Sequence, residues 1–499
     1  MPPRRQGLTP RAHPRNQTMS RRRLLQAGAG GASLLVVPGL LSGCSQPTTQ
    51  MPPFTGGDEW RRFAGTTINF ISENTAPTAA IAANVQPFVD KTGINVRIVT
   101  LELSALVQRV ALDLASGNSQ YHVIYADPYQ VLAPYSEGLA DLREFIGVEG
   151  FPDLGSGGID DFIGTQLKAA GMFGDDGKVM ALPYDCPTMI WQYRADLFES
   201  YGDKMAADLG FDPTPGAERT WEEYHKIAKW FNDNVDEVPY GTGQQAKQHD
   251  SLMCDFSNVL WAYGGDYFEN GREVGLLGTK DPGKSLLGSE AAIEAANVYN
   301  ELVKIAHPGS RSWDWDGVGN ALAGGQIAMT LNWHEFAASN EEALPGKVDY
   351  APLPSGPARN SCHYGGCGIG ISGNTSGAER GAAWLFVNWA TSQETQLSNL
   401  KSSAGGGTPT RQSVYDLPEV KKAAERPSEL PNMLTTKAID FAWQDANIGL
   451  RPKIPMWNEC DTTVFSGLSK MLAGQDDPAG TMASISKGVD AIVKRGWQA

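Results

Sequence analysis

Residues 66–127 predict an α/β protein built on an open parallel sheet, and three observations carry that expectation. Strand-like and helix-like stretches alternate, the links between them are short, and glycine closes each helix. The stretch TTINFISEN (66–74) is the first strand, ending in the polar pair Glu73 and Asn74. TAAIAANVQPFVDKTG (78–93) has helical spacing with a glycine stop, and INVRIVTL (94–101) is the second strand. SALVQRVALDLASG (104–117) is an amphipathic helix with Ser104 as its amino-terminal cap and Gly117 as its end. YHVIYAD (121–127) completes the series as a third strand. Ligands of open sheets sit beyond the carboxyl ends of the strands. Here those ends supply Glu73, Asn74 and Asp127.

Ahead of this segment the chain reads as an export and anchoring region. SRRRLLQAGAGGASLLVVPGLLSGC (20–44) sets Arg21, Arg22 and Arg23 before a short apolar run that ends in Leu41-Ser42-Gly43-Cys44. The run is too short and too rich in glycine to span a bilayer. The arginines with Leu24 and Leu25 form a twin-arginine export signature, and the closing tetrapeptide resembles the bacterial lipobox, whose cysteine is diacylated. Two acyl chains anchor stably where one is marginal. Residues 1–43 are thus expected to be a signal peptide, Cys44 the lipidated first residue, and 44–64, rich in Pro, Thr and Gly, a tether. Met19 directly precedes Ser20, so residues 1–18 read as an extension ahead of a second start.

The formal net charge is −15, and because residues 1–43 hold only basic charges the remainder is more acidic still. Such a surface argues against nucleic acid and anionic lipid headgroups as partners. The length implies two or so domains. No stretch past the leader reaches the apolar length of a membrane span, so a lipid anchor is the only membrane attachment expected. Past Cys44 stand Cys186, Cys254, Cys362, Cys367 and Cys460, an odd number that leaves at least one thiol without a partner in the chain. Cys362 and Cys367 enclose HYGG and allow a local bridge. A zinc reading of Cys362, His363 and Cys367 lacks a second ligand pair at usable spacing, so structural cysteines are expected and no metal.

A run of motifs in the rest of the chain is more specific. GKVMALPYDCPTMIWQYRADLFESYG (177–202) is followed by TWEEYHKIAKW (220–230), WAYGGDYFENG (261–271) and ALAGGQIAMTLNW (321–333). Then come VDYAPLPSGP (348–357), GGCGIGIS (365–372), GAAWLFVNWATSQETQ (381–396), GGTPTRQSVY (406–415) and RPKIPMW (451–457). In this order they resemble the extracellular solute-binding proteins of carbohydrate ABC importers, similar to the maltodextrin type, and the resemblance covers nearly all of residues 66–499. His334-Glu335, in place of the usual small residue after the tryptophan, and the cysteines depart from that pattern. The resemblance implies a two-lobe periplasmic-binding-protein type II fold with hinge strands and an interlobe cleft. Its lobes are expected at 65–188 with 346–399, and at 189–345 with 400–499. It also implies the partners: a small-molecule carbohydrate ligand, ABC permease subunits and, through them, the cytoplasmic ATPase. No cofactor is expected.

Several tempting strings fail on context. GTKDPGKS (278–285) fits the phosphate-loop pattern, but EVGLL is a poor core strand and the next helix is expected to start at Ser289-Glu290. GGCGIGIS imitates a dinucleotide loop without the helix that should follow, and reads as backbone close to the cleft. WHEF lacks a second histidine four residues on. Asp314 and Asp316 in SWDWDG read as solvated loop acids. Nothing assembles a nucleophile, a base and an orienter, so no enzyme is expected.

A sugar presents C–H faces to aromatic rings and hydroxyls to carboxylates and amides. Candidates of that chemistry are Tyr184 and Asp185 at the crossing strand, Trp261 and Asp266 beside Gly264 and Gly265, and Trp333 after AMTLN. Gly365, Gly366, Arg411 and Trp457 complete the set, with Glu73, Asn74 and Asp127 from the first sheet. Trp221, Trp230, Trp384 and Trp389 lie on helical patterns and read as core. Two rivals stay open: a binding protein for a polyamine or polyol, and a surface glycoside hydrolase with paired carboxylates.

Overall fold

The computed structural model describes residues 50–404 and 406–496, so the leader, the lipobox and Cys44 lie outside the described residues. Eleven strands are described: β1 (Thr67–Glu73), β2 (Asn95–Leu101), β3 (Val123–Ala126), β4 (Ala181–Asp185), β5 (Met189–Arg194), β6 (Tyr240–Gly243), β7 (Ile327–Trp333), β8 (Val348–Ala351), β9 (Cys362–His363), β10 (Cys367–Ile371) and β11 (Ile448–Gly449). They form a five-stranded sheet in the order β2-β1-β3-β10-β4, a four-stranded sheet in the order β6-β7-β5-β8, and a small β11-β9 pair. The parallel pairing of β1 with β2 and with β3 is the arrangement the sequence predicts. β10 then runs antiparallel between β3 and β4, so the sheet is mixed.

Two helical expectations shift locally. The run 78–93 is two helices, Ala76–Asn84 and Gln86–Thr92, broken at Val85 because Pro87 removes an N–H and restricts the residue before it. The next helix starts at Leu103 with Glu102 in the cap position, and Ser104 instead donates its hydroxyl to the Glu102 carboxylate at 2.6 Å. Gly93 (φ 69°) and Gly117 (φ 69°) end their helices in the left-handed conformation that glycine adopts freely. The phosphate-loop string behaves as expected: Ser289 caps the helix Glu290–Ile305, and no helix follows Lys284 directly. EVGLL forms the end of the short helix Gly271–Leu276 and its cap Leu277 rather than a strand.

Each sheet has its own apolar core. Phe70, Phe386 and Trp384 centre the first, with Phe70 and Phe386 rings 5.5 Å apart and Trp384 stacked on Phe145 at 5.2 Å. Trp191, Trp221, Tyr224 and the two carboxy-terminal helices, Trp457–Leu472 and Pro478–Gly496, build the second. Trp221, Trp230, Trp384 and Trp389 are all buried, as their helical spacing predicts.

The chain passes between the sheets at several points. β4 ends at Asp185 in the first sheet and β5 begins at Met189 in the second, so Cys186, Pro187 and Thr188 form one crossing. Residues 348–351, expected with the first lobe, are β8 and pair with β5 of the second sheet, whose other edge β7 already occupies. The return to the first sheet comes between β8 and β10. The Lys453 side-chain nitrogen sits among four carbonyls, those of Lys168 and Ala169 at 2.9 Å, of Leu276 at 2.9 Å, and of Met172. Burial pushes that amine well below the usual lysine range, and the carbonyl cluster takes the place of water around it. The five cysteines past Cys44 are buried free thiols, so Cys362 and Cys367 form no bridge.

Candidate functional site

The strand ends converge on a cavity of about 240 Å³. β1 delivers Glu73 and Asn74, β3 delivers Tyr125 and Asp127, β4 delivers Asp185, and β7 delivers Trp333 followed by Glu335 and Phe336. Gly365, Gly366 and Cys367 supply the backbone entering β10. The wall is completed by Trp315 and Asp316 at the start of the helix Trp315–Ala323, by Asp250 and Cys254 of the helix Asp250–Ala262, and by Arg451. Both sheets contribute, as at the mouth of an open α/β sheet.

Local folding fixes each group. Asp127 caps the turn Pro128–Leu132, one carboxylate oxygen accepting from the N–H of Tyr129 at 2.9 Å and of Gln130 at 2.6 Å. Asp185 accepts from the Thr408 N–H at 2.6 Å. Trp333 is 9% exposed and its ring lies against Gly365, where a β-carbon would come within 2.6 Å of it. Gly366 sits at φ +126°, a backbone that suits glycine, with Cys186 directly beside it. His334 faces the crossing rather than the cavity: its Nδ1 accepts from the Thr188 N–H at 3.2 Å, and its Nε2 lies 2.9 Å from the Thr408 hydroxyl. Burial holds its imidazole down at about 3, so the ring is neutral and donates from Nε2 to Thr408. The histidine that departs from the family pattern thus ties the crossing strand to the loop that holds Asp185.

The electrostatics are dominated by buried acids. Burial raises the carboxyl of Glu73 to about 8, that of Asp185 to about 7 and that of Asp127 to about 6. Burial, with the charge of Asp185 next to it, pushes Glu335 well above its ordinary value. Asp250 is the exception: burial alone would raise it, but the Arg451 guanidinium outweighs that and holds it at about 2. Arg451 is itself buried, bonded to Asp250 and stacked over the Tyr129 ring at 4.6 Å. Gln130 Nε2 bridges from the turn after β3 to Asp250 at 3.0 Å and to Asp461 at 2.8 Å.

Of the residues predicted from sequence, the cavity gathers Glu73, Asn74, Asp127, Asp185, Trp333, Gly365 and Gly366. The others stand elsewhere. Tyr184 alternates to the opposite face of β4, where its hydroxyl meets that of Thr78 at 3.2 Å. Trp261 is buried and stacked on His363 at 5.6 Å, and with Gly264, Gly265 and Asp266 it borders a separate hollow of about 260 Å³. Arg411 is 1% exposed, paired with Asp161 at 3.0 Å and donating to the carbonyls of Thr391 and Leu154. Trp457 is core, its ring edge-on to Tyr267 at 5.4 Å. Asp316, expected in solvent, lines the cavity, while Asp314 caps the same helix through the Gly317 N–H and pairs with Lys247 at 2.7 Å.

Sequence reasoning passed over Tyr125, Asp250, Trp315, Glu335 and Arg451. Tyr125 and Arg451 lay in the very motifs that supplied Asp127 and Trp457, and counting residues from the strand ends was the available signal. Asp250 opens a helix with no motif of its own.

The pattern described as bacterial extracellular solute-binding protein matches residues 72–397. This chain belongs to that family. It is the extracytoplasmic solute-binding component of an ABC transporter, and its family and fold are those of transport binding proteins. Over 384 residues it is 25% identical to a probable amino-acid ABC transporter periplasmic-binding protein, y4oP, of Sinorhizobium fredii, covering 75% of this chain and 79% of that one. Among solved structures it resembles the maltose-bound MalE3 of T. maritima at a TM-score of 0.69 and 23% identity, covering 85% of this chain and 99% of that one. A solute-binding protein of Agrobacterium radiobacter in complex with ribitol gives a TM-score of 0.71 at 21% identity, with 86% and 99% covered. These likenesses establish the two-lobe fold of periplasmic binding proteins. Among the described residues no helix is long and apolar enough to cross a membrane.

Proposed function

We propose that this solute-binding protein captures a small polyhydroxylated solute, a sugar or polyol, in the cavity between its two sheets and presents it to a permease. One observation carries the reading: Trp333 offers an aromatic face at the end of β7 while Asp185 and Glu73 offer carboxylates from the facing sheet, the pairing that hydroxylated rings and chains require. Its small volume suits a mono- or disaccharide or an alditol better than a long oligosaccharide. Ligand held by both sheets stabilises the closed arrangement, which gives the permease a shape to recognise.

Trp333→Ala removes the aromatic face, and Asp185→Ala removes the acceptor at the crossing. Each is expected to weaken binding of the best ligand by about 1.5–3 kcal/mol, roughly ten- to hundredfold in Kd. Thermal melts of the purified protein against a panel of sugars, alditols and polyamines, followed by calorimetry on the hits, supply the measurement. If Trp333→Ala loses stability but binds normally, the ring serves the core and the reading is wrong.

The same reading places the protein at the outer face of the cell membrane, held by acyl chains on Cys44. Cys44→Ala is expected to leave the protein unlipidated and lost from the membrane fraction. Replacing both Arg21 and Arg22 with lysine is expected to stop export. Normal export of the double variant would assign the leader to the general route instead.

A further inference from the structure

Resting on the polyhydroxyl reading of this cavity, we infer that its solute carries a protonated amine on the hydroxylated frame, as an amino sugar or amino alditol does. The charge balance of the wall is the reason. Six carboxyl side chains line the cavity, from Glu73, Asp127, Asp185, Asp250, Asp316 and Glu335, against one cation, Arg451. Arg451 is committed to Asp250. Among the described residues none of the other five acids forms an ion pair. Glu73 and Asp185 are 8% and 4% exposed, and Glu335 Oε2 has no hydrogen-bond partner at all.

Ligand hydroxyls can donate to these oxygens but leave the charge uncancelled, and uncompensated buried charge is costly. An ammonium group donates three hydrogen bonds and cancels a charge. The rings of Trp315, Trp333 and Tyr125 in the same wall are suited to a cation as well as to C–H groups. A neutral sugar would use the rings and hydrogen-bond the acids without cancelling their charge.

Binding of an amine also has a proton signature. Glu73 faces Tyr125, Asp127, Asp250 and Glu102; Asp185 faces Glu335 and Thr408; Asp127 faces Arg451 and Asp250. Two histidines stand close by: His249 is 3.5 Å from Glu102, and the neutral His334 meets the hydroxyl of Thr408, whose N–H holds Asp185. In the empty cavity burial keeps a fraction of these acids protonated near neutrality. An arriving ammonium favours their charged forms, so protons leave as it binds, and for an amine that stays protonated across the range, as in D-glucamine, affinity rises with pH from about 6 to about 8.

Calorimetry on the full mature chain with D-glucosamine against D-glucose, D-glucamine against D-glucitol, and spermidine tests this. The expected result is at least tenfold tighter binding of one aminated probe than of its neutral counterpart, with proton release detected across buffers of different ionisation enthalpy. Glu73→Gln is expected to lower affinity for that probe at least fivefold while leaving the thermal midpoint of the empty protein unchanged or raised. Neutral probes binding as tightly as aminated ones, or affinity for D-glucamine falling as pH rises from about 6 to about 8, would overturn the inference and leave the polyhydroxyl reading standing. Spermidine binding with no response to any hydroxylated probe would overturn both. Silence from both aminated probes overturns the inference alone.

Discussion

Arg451→Met is expected to destabilise the protein by about 3–5 kcal/mol near neutral pH, the range for removing one partner of a buried ion pair. The guanidinium holds Asp250 ionised and opposes the upward shift of Asp127 and Asp461. Without it three buried carboxyls face one another, with Gln130 as their nearest donor. The sign of the pH dependence follows. In the parent, Asp250 is depressed to about 2, so its contribution is present above its unfolded value and fades only as pH falls toward about 2. In the variant its pKa is raised instead, so its contribution is fully present below the unfolded carboxylate value and is lost as pH rises from there through the raised folded value. The gap between parent and variant is therefore expected to be widest near pH 8 and to narrow toward pH 5. Urea unfolding at several pH values measures it, and a gap that is small at pH 8 or widens on acidification contradicts the assignment.

Trp384→Ala is expected to cost about 3–5 kcal/mol of stability, the range for truncating a large aromatic in a core that cannot collapse. The side chain is fully buried in the helix Gly377–Ala390 and lies parallel to Phe145 at 5.2 Å with an interplanar angle of 10°. It stands apart from the cavity, so ligand affinity measured below the melting range is expected to hold within about twofold. The contrast with Trp333→Ala, which should lose affinity and keep most stability, separates a packing tryptophan from a binding one. A binding loss in Trp384→Ala without a fall in thermal midpoint would reverse the two roles.

How far the chain could be read before its structure depended on the range of the interactions involved. The first three strands and their helices were legible because period and punctuation are local properties: TTINFISEN and INVRIVTL alternate, and Gly93 and Gly117 stop helices wherever they occur. Which strand face a residue occupies was legible in principle too. Tyr184 and Asp185 are adjacent in β4, so only one of them can point at the cavity. What sequence could not supply was pairing over long separations. Arg411 and Asp161 lie 250 positions apart, and nothing near either residue announces the other. The same holds for Arg451 and Asp250, which set the charge of the cavity. Trp457 and Trp261 failed for a different reason: a tryptophan in a motif is usually conspicuous because the core needs it.

The placement of β10 has a consequence for how the molecule comes into being. This strand sits in the interior of the first sheet, between β3 and β4, yet it is synthesised after the whole of β5 through β8. A nascent chain that has reached only the end of β8 leaves one edge of β3 unpaired and β4 with no strand partner at all. Closing that gap draws together segments separated by most of the second sheet, a contact whose loop entropy must be met before it is rewarded. The amino-terminal half is therefore not an autonomous folding unit. A chain halted near residue 360 should stay protease-sensitive throughout, and the two lobes should acquire protection together rather than in the order in which they leave the ribosome.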